Sequence, residues 1–372
     1  MSDPLKDERF MRRALELAQR AWGQTHPNPM VGAVIVEDGE IVAEGWHHAA
    51  GQAHAEIEAI RALGRKPAGG ATIYVTLEPC STCGRTGACT DAIIAAGFAA
   101  VVVGAQDPNP AHAGRGLAIF REAGITVTSG VLAQECADLN LIFNHWITQN
   151  TPLLAAKMAL TLDGKFAAAS GHSRWVTGEL ARADVMRWRR YFPAIAVGAN
   201  TVLHDNPSLT SRIGEPVWCP QRFVFDRSLK TLEPAQLPQI YSDVYASNTV
   251  LLCAESAATE LQARAARHDI EVWILPEVEG QLDWQAFRAR CVEAEIYGVY
   301  VEVGPRLATR VIESALVDYL FIYQAPKLLA DAAAPGLGSL RNTQHMHQAW
   351  TLQALRRAQF GEDHLTRGFL QK

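Results

Sequence analysis

The chain has 372 residues, which exceeds the usual size of one hydrophobic core, so two domains are expected. A content of 48% hydrophobic and 20% charged residues is that of an ordinary globular protein. The formal net charge of -5 gives no general basic surface and argues against nucleic acid as the main substrate, although a local basic cluster could bind a small phosphorylated metabolite.

The first half of the chain predicts a hairpin followed by alternating helices and strands. Strands are expected over residues 31–36, 41–44, 71–77, 100–104 and 125–128, and helices over 8–22, from about 53, 90–96 and 117–123. The Asp38-Gly39 pair favours a tight turn between the first two strands. This order predicts a three-layer α/β domain on a mixed sheet, closed by a helical connector over residues 131–150.

The second half predicts another α/β domain. We place the boundary at Thr151-Pro152, which gives domains of residues 1–150 and 151–372. Strands are expected over residues 153–160, 194–198, 222–226, 249–253, 271–275, 298–303 and 320–324, the last being the final clear strand. Helices are expected over residues 178–191, 284–295 and 307–315, and residues 331–338 are predicted to form a loop.

The termini, apolar runs and cysteines predict a cytoplasmic protein. Residues 1–8 contain acids and no apolar core, which is not the pattern of a secretory signal. The longest uncharged apolar run, residues 92–105, is too short to span a bilayer, so no membrane partner is expected. Three cysteines are clustered and four are scattered singly, which is typical of metal ligands plus reduced core thiols.

One histidine and a group of cysteines in the first half have the spacing of a catalytic zinc site. His54 and two of Cys80, Cys83 and Cys89 can fill three tetrahedral positions, which leaves the fourth open for water. Glu56, at the first turn of the predicted helix, could take a proton from that water and pass it to a leaving amine. The pattern predicts a zinc-dependent deaminase.

Two alternatives to this zinc site remain open from the residues alone. His54 and all three cysteines could close a structural site with four protein ligands, but His-x-Glu followed by Pro-Cys is the deaminase arrangement. Within a deaminase, Cys80 and Cys83 fit the short spacing of nucleoside and nucleic-acid deaminases. Cys80 and Cys89 fit a longer variant.

Longer segments resemble the RibD family, the bifunctional deaminase–reductases of riboflavin biosynthesis. The first half carries NPMVGAV at 28–34, GQAHAE at 51–56, YVTLEPCS at 74–81 and DPNP at 107–110. The second half carries LDGK at 162–165, SGHSRWVT at 170–177, DNP at 205–207 and VEVGP at 301–305. The chain departs from the family pattern at Thr82-Cys83 and at Gly87-Ala88, where the family usually has histidine after Ser81 and Pro-Pro before Cys89.

The resemblance implies a fold and a function for each half. It implies a cytidine-deaminase-like first domain that hydrolytically deaminates 2,5-diamino-6-(5-phosphoribosylamino)pyrimidin-4-one, with one zinc ion per chain. It implies a dihydrofolate-reductase-like second domain that uses NADPH to reduce the ribosyl chain of the product to ribityl. A homo-oligomer is also expected. The rival hypotheses are a nucleoside or nucleic-acid deaminase with a C-terminal ligand-binding domain, and a binding protein with a structural zinc.

The resemblance also implies individual site residues. The zinc ligands are His54, Cys80 and Cys89, with Glu56 as the proton shuttle. The substrate-binding residues are Asn28, His47, Ser173, Arg189, Leu209, Arg212 and Glu302. The NADPH-binding residues are Ala159, Trp175, Thr201, Asp205, Gly304, Pro305, Arg306 and Leu307. Lys157 and Asp205 are predicted to be the polar groups nearest the reacting sugar carbon.

Physical reading of the second half supports these assignments only weakly. It has no G-x-G-x-x-G and no Walker A motif, which argues against classical dinucleotide and P-loop sites. Gly304-Pro305 lies between a predicted buried strand and a helix, whose N-terminus can hold a phosphate. Arg189 and Arg212 can give bidentate contacts to a substrate phosphate.

Overall fold

The computed structural model describes residues 4–82, 87–214, 216–338 and 342–372. The chain divides into two compact units, Met1–Asn150 and Thr151–Lys372, and each is an α/β unit around its own sheet. No helix in the described parts of the chain is long and apolar enough to cross a membrane.

The first unit is built on a five-stranded mixed sheet. Its strands are β1 (Gly32–Glu37), β2 (Glu40–Trp46), β3 (Thr72–Leu77), β4 (Ala100–Ala105) and β5 (Thr126–Ser129). They lie in the order β2-β1-β3-β4-β5, with β1 antiparallel to β2 and β3 and the other neighbours parallel. The predicted hairpin and the strands that follow it are therefore present.

Helices cover both faces of this sheet and give the predicted three layers. They are α1 (Pro4–Gln19), α2 (Ala55–Leu63), α3 (Cys89–Ala96), α4 (Arg115–Glu122), α5 (Ala133–Leu139) and α6 (Leu141–Gln149). Two glycines allow close approach: a Cβ at Gly32 would lie 1.9 Å from the Ala14 carbonyl oxygen of α1, and one at Gly45 2.3 Å from the Ala59 nitrogen of α2. Because Gly32 and Gly45 face opposite sides of the sheet, α1 and α2 lie in different layers.

The second unit is built on a nine-stranded sheet in the order β10-β9-β8-β7-β13-β6-β14-β16-β15. The strands are β6 (Leu153–Leu160), β7 (Ala194–Gly198), β8 (Gln221–Phe225), β9 (Thr249–Ala254), β10 (Glu271–Leu275), the short pair β11 (Glu277–Val278) and β12 (Gln281–Leu282) that forms its own ladder, β13 (Gly298–Glu302), β14 (Tyr319–Gln324), β15 (Thr351–Phe360) and β16 (Asp363–Gln371). From β10 to β14 all neighbours are parallel, whereas β16 and β15 are antiparallel. Consecutive residues of the central strands, such as Ala196 and Val197, enter separate cores on the two faces.

Several elements of the second unit differ from the sequence-based prediction. The helices are α7 (Glu179–Tyr191), α8 (Ala199–Asp205), α9 (Thr259–Arg267), α10 (Trp284–Glu293) and α11 (Pro305–Glu313), of which α8 and α9 were not predicted. The prediction that residues 320–324 are the last clear strand is wrong, because β15 and β16 follow it. The β15 strand is mostly exposed and rich in polar residues, so it lacks the apolar alternation on which a strand prediction depends.

Candidate metal centre and ligand cleft

Three side chains of the first unit converge with the geometry of a zinc site. His54 immediately precedes α2, Cys80 follows β3, and Cys89 begins α3. The His54 Nδ1 atom lies 3.2 Å from Cys89 Sγ and 3.6 Å from Cys80 Sγ, and all three donor atoms are within 4.8 Å of one another. Zinc bond lengths of about 2.0 Å to nitrogen and 2.3 Å to sulfur place tetrahedral ligands roughly 3.6 Å apart, so this donor set fits zinc. The alternative ligand Cys83 lies outside the described residues.

The two thiols of this cluster are electrostatically unequal. A hydrogen bond from Cys89, together with one from His54, lowers the pKa of Cys80 to about 4. The same bond to Cys80 raises the pKa of Cys89. The backbone N–H of Cys89 also points at Cys80 Sγ at 3.4 Å, as expected for an anion held at a helix N-terminus. Zinc binds cysteine as thiolate, so metal binding at this cluster requires both thiols to release their protons.

Glu56 is a buried carboxyl beside these ligands. It is the second residue of α2 and is only 3% exposed. Its side chain hydrogen-bonds with Cys89, and burial raises the pKa of the carboxyl. The start of α2 thus presents a candidate metal ligand, His54, and a buried carboxyl, Glu56, to the same space.

Of the two predicted substrate-binding residues of this unit, His47 lies against the candidate metal ligand His54, and Asn28 contacts His47. The His47 ring stands edge-on to the His54 ring, with 5.6 Å between centroids. His47 Nδ1 lies 2.9 Å from the Ala53 carbonyl oxygen, which can only accept, so Nδ1 carries the proton. Burial lowers the pKa of His47, and its neutral Nε2 then accepts from the Asn28 side-chain amide at 3.2 Å. Asn28 and His47 therefore form one oriented pair at the edge of the site.

Glu78 is a buried residue near this centre that the sequence analysis did not single out. Its carboxylate accepts the backbone N–H groups of Asp107 at 3.1 Å, Gly114 at 3.0 Å and Gly116 at 2.9 Å. These contacts fix the loop after β4 next to the segment that carries the candidate ligand Cys80. A glutamate directly before Pro79-Cys80 was the available signal, although its partners lie far along the chain.

The second unit contains a large cleft of about 2060 Å³ at the carboxyl ends of β7, β8 and β13. This edge is where open parallel sheets generally bind ligands. Every residue predicted for the second site lines the cleft, namely Lys157, Ala159, Ser173, Trp175, Arg189, Thr201, Asp205, Leu209, Arg212, Glu302, Gly304, Pro305, Arg306 and Leu307.

A buried charged cluster forms the floor of the cleft. Arg189 of α7 donates to Glu302 through Nε at 2.6 Å and Nη2 at 3.0 Å, and its Nη1 donates to the Thr210 carbonyl at 3.1 Å. Lys157 is the register partner of Glu302 on the neighbouring strand. Burial opposes ionisation of Glu302, but Arg189 and Lys157 nevertheless lower its pKa. The Arg189 guanidinium, expected to grip phosphate, is therefore already engaged by protein oxygens.

Burial acts in the opposite sense on the remaining cation of this floor. It lowers the pKa of Lys157, and Arg189 lowers it further, although Glu302 opposes the shift. The Lys157 ammonium lies 5.9 Å from the centre of the Tyr323 ring. Lys157 is thus a lysine that gives up its proton more readily than an exposed one.

The cofactor residues predicted from the resemblance lie on different walls. Gly304 caps the N-terminus of α11, with Pro305 as its first residue. Trp175 is 62% exposed, and Arg182 lies 4.5 Å above its ring. Asp205 ends α8 and forms an exposed ion pair with Arg174 at 3.8 Å. A flat exposed indole and a helix N-terminus are both suited to a dinucleotide.

The predicted substrate residues Leu209 and Arg212 differ in what they offer to the cleft. Leu209 is 1% exposed, has φ +55°, and packs its side chain into one of the two cores. A substrate contact of Leu209 therefore has to come from its main chain. Arg212 is exposed, with Nη1 3.5 Å from Ser208 Oγ, and it lines the cleft.

Both units match known protein families. Residues 4–105 match the cytidine and deoxycytidylate deaminase zinc-binding region, and residues 152–365 match the RibD C-terminal domain. The riboflavin biosynthesis protein RibD of Escherichia coli is 42% identical over 352 residues, covering 90% of this chain and 93% of that protein.

Solved structures of the same kind cover the whole chain. RibD of Acinetobacter baumannii has a TM-score of 0.77 at 32% identity and covers 100% of both chains. A diaminohydroxyphosphoribosylaminopyrimidine deaminase/5-amino-6-(5-phosphoribosylamino)uracil reductase of Thermotoga maritima has a TM-score of 0.78 at 32% identity and covers 99% of both chains.

Proposed function

Because the chain belongs to the RibD family of riboflavin-biosynthesis enzymes, we propose that its two units perform the two reactions of that family on the residues described above. The membership confirms the resemblance and the fold class predicted from the sequence. The chain is a bifunctional enzyme with a zinc-binding deaminase unit and a reductase unit. The observation that carries the residue assignment is the cluster of His54, Cys80 and Cys89 with the buried Glu56 beside it.

In the first unit, His54, Cys80 and Cys89 hold one zinc ion. Zinc, when bound, supplies a Lewis acid that makes water a nucleophile near neutral pH. Glu56 accepts a proton at its carboxylate and returns it to the departing amine, which leaves as ammonia. The burial of Glu56 and its contact with Cys89 support this role.

Asn28 and His47 orient the pyrimidine of 2,5-diamino-6-(5-phosphoribosylamino)pyrimidin-4-one in the first site. The neutral His47 ring is held in one tautomer by the Ala53 carbonyl. In this tautomer His47 Nε2 accepts a hydrogen bond from the side-chain nitrogen of Asn28, which gives the Asn28 amide a defined orientation at the edge of the site. A fixed amide presents its oxygen in one direction, which suits recognition of a heterocycle edge.

In the second unit, the cleft binds NADPH and the deaminated product together. NADPH, when bound, supplies the hydride. The residues assigned to it are Ala159, Trp175, Thr201, Asp205 and Gly304 to Leu307, and the substrate residues are Ser173, Arg189, Leu209, Arg212 and Glu302. Arg212 is the guanidinium that meets the substrate phosphate, because Arg189 is engaged by Glu302. Arg189 and Glu302 contribute by shaping the floor.

Lys157 provides the proton that reduction of the open ribosyl chain requires. Its burial lowers the pKa of the ammonium, which makes it a better acid than an exposed lysine. Asp205 lines the cleft and forms an exposed ion pair with Arg174.

Three expectations from the sequence accompany this assignment: a rival function, an oligomeric state and a cellular location. The rival hypothesis of a nucleoside or nucleic-acid deaminase with a ligand-binding second half is not favoured, because that half matches the RibD C-terminal domain. The homo-oligomer and the cytoplasmic location stay predictions. Sedimentation velocity of the full chain tests the first, and fractionation of the producing cells tests the second.

The test follows the two reactions separately in one polypeptide. Purified protein is given the diaminopyrimidine, and ammonia release and NADPH oxidation are both recorded. Glu56→Gln is expected to abolish both, whereas added 5-amino-6-(5-phosphoribosylamino)uracil restores NADPH oxidation. Glu58→Gln, two residues along the same helix, is the matched control and keeps both. Wild-type protein that releases no ammonia, or undiminished release in Glu56→Gln, contradicts the assignment.

A further inference from the structure

Arg222 is a fully buried arginine that the proposed chemistry does not use. It lies on β8 and is 0% exposed. Its guanidinium donates to both carboxylate oxygens of Asp243 at 2.7 and 2.9 Å. Its other contacts are Thr249 Oγ1 at 3.0 Å and the carbonyl oxygens of Ser208 at 2.9 Å, Ile240 at 2.9 Å and Tyr245 at 2.6 Å.

Stability alone is a weak reason for such a residue. Desolvation of a buried ion pair is costly, and well-packed apolar residues often replace one without loss of stability. A planar guanidinium, in contrast, fixes several acceptors in one geometry. Arg222 joins three separate parts of the second unit: Ser208, the stretch 240–245, and Thr249 at the start of β9.

Ser208 belongs to the cleft loop, residues 206–212, which needs to be held from outside. Leu209 has φ +55°, a left-handed backbone that a bulky apolar residue adopts unfavourably, whereas Asn206 at φ +43° is a residue type that tolerates this region. The loop carbonyls are held by the rest of the unit: Ser208 by Arg222 and Thr210 by Arg189. Without these two hydrogen bonds the cleft loop is expected to relax to a different backbone conformation.

Ser208 also links the buried pair to the cleft. Its carbonyl oxygen accepts from Arg222, while its Oγ lies 3.1 Å from Thr210 Oγ1 and 3.5 Å from Arg212 Nη1. Arg212 lines the cleft, but in the described structure Arg222 does not. A continuous set of contacts therefore runs from the partly buried Asp243 through the fully buried Arg222 and then Ser208 to Arg212.

We infer that Arg222 is a positioning residue for the reductase, which acts through Ser208 to hold Arg212 where the substrate phosphate binds. This inference rests on the proposed contact between Arg212 and that phosphate. A lysine side chain in place of Arg222 carries the same charge, but its single nitrogen cannot satisfy Ser208, Tyr245 and both Asp243 oxygens together. Arg222→Lys therefore keeps the charge and removes the geometry.

The experiment uses the whole chain, so that the deaminase unit is an internal control. Arg222→Lys is expected to raise the KM for 5-amino-6-(5-phosphoribosylamino)uracil roughly ten- to a hundredfold, the scale of a small misplacement of a binding group. The KM for NADPH and the rate of ammonia release stay at wild-type values. Should Arg222→Lys fail to fold, Asp243→Asn, which loosens the same fork, is measured for the same rise.

Thr249→Val separates positioning from stability. It removes the partner of Arg222 Nε and leaves the bond to Ser208, so it is expected to lower the melting temperature without raising the KM. Equal KM values for Thr249→Val and Arg222→Lys, or a wild-type KM in Arg222→Lys, overturn the positioning role. Arg212→Ala with an unchanged KM instead overturns the phosphate contact itself.

Discussion

Arg189 and Glu302 meet as a two-point ion pair at the floor of the cleft, Nε to Oε1 at 2.6 Å and Nη2 to Oε2 at 3.0 Å. Their side chains are only 12% and 15% exposed, so water screens the pair poorly. Either residue taken alone resembles a ligand-binding charge. Together they form the floor of the cleft, where Lys157 lies beside Glu302 on the neighbouring strand.

Removing one member of this pair leaves an uncompensated buried charge. Glu302→Leu is expected to destabilise the second unit by about 3 kcal/mol and to abolish NADPH oxidation. The double variant Arg189→Met/Glu302→Leu recovers most of the stability but none of the reductase activity. Urea unfolding followed by tryptophan fluorescence measures the first effect. A double variant as unstable as the single one contradicts the ion-pair account.

The zinc ligands can be separated by two matched cysteine substitutions. Cys89→Ser is expected to lose zinc and ammonia release, because it removes a donor 3.2 Å from His54 Nδ1. Cys83→Ser is expected to keep both. Metal content of the purified variants is measured by atomic absorption, with NADPH oxidation on the deaminated substrate as the folding control. Zinc retained in Cys89→Ser but lost in Cys83→Ser supports the shorter cysteine pair instead.

Lys157 predicts a pH dependence of the reductase. Burial lowers the pKa of its ammonium, so the proton that it provides is present below that pKa and lost as pH rises through it. The reductase rate is therefore expected to fall on the alkaline side at a pH below the ordinary lysine range. Lys157→Met is expected to lose about a hundredfold or more in rate, the usual contribution of a positioned acid.

Two variants control the interpretation of this profile. Lys165, which donates to the Ala334 carbonyl, is not among the cleft-lining residues that the structure describes, so Lys165→Met keeps the wild-type profile. Lys157→Arg carries a charge that does not titrate in this range, so any residual activity lacks the alkaline fall. An alkaline fall that persists in Lys157→Arg assigns the titration to another group.

Trp175 predicts a contribution to cofactor affinity. Stacking of an aromatic pair is worth ~0.5–1.5 kcal/mol, so Trp175→Ala is expected to raise the KM for NADPH roughly two- to tenfold. Leu180 has a similar exposed fraction, 61% against 62%, but does not belong to the described cleft lining. Leu180→Ala is therefore the control and keeps the wild-type value. An equal rise of the KM for NADPH in both variants assigns the effect to the loss of any exposed apolar side chain and not to stacking of Trp175 on the cofactor.

The metal centre could be predicted from the sequence because its signals are local. His54 and Glu56 are two residues apart, and Cys80 comes three residues after the end of β3, whose residue types favour a strand. The choice between Cys83 and Cys89 was not local, and it came from the family pattern. Glu78 was missed because its partners, from Asp107 to Gly116, become neighbours only when the loop after β4 folds back.

The amino-acid sequence by itself determined that this protein has two α/β units and a zinc-type donor set, whereas the reductase assignment of the second unit came from the family resemblance. Tertiary structure alone decided which charged side chains lie together. Strand β13 pairs between β6 and β7, which brings Glu302 beside Lys157 and against Arg189, and Arg222 is buried by contacts from three distant segments. Periodicity and spacing report local conformation, whereas the pairing of charges depends on which strands become neighbours.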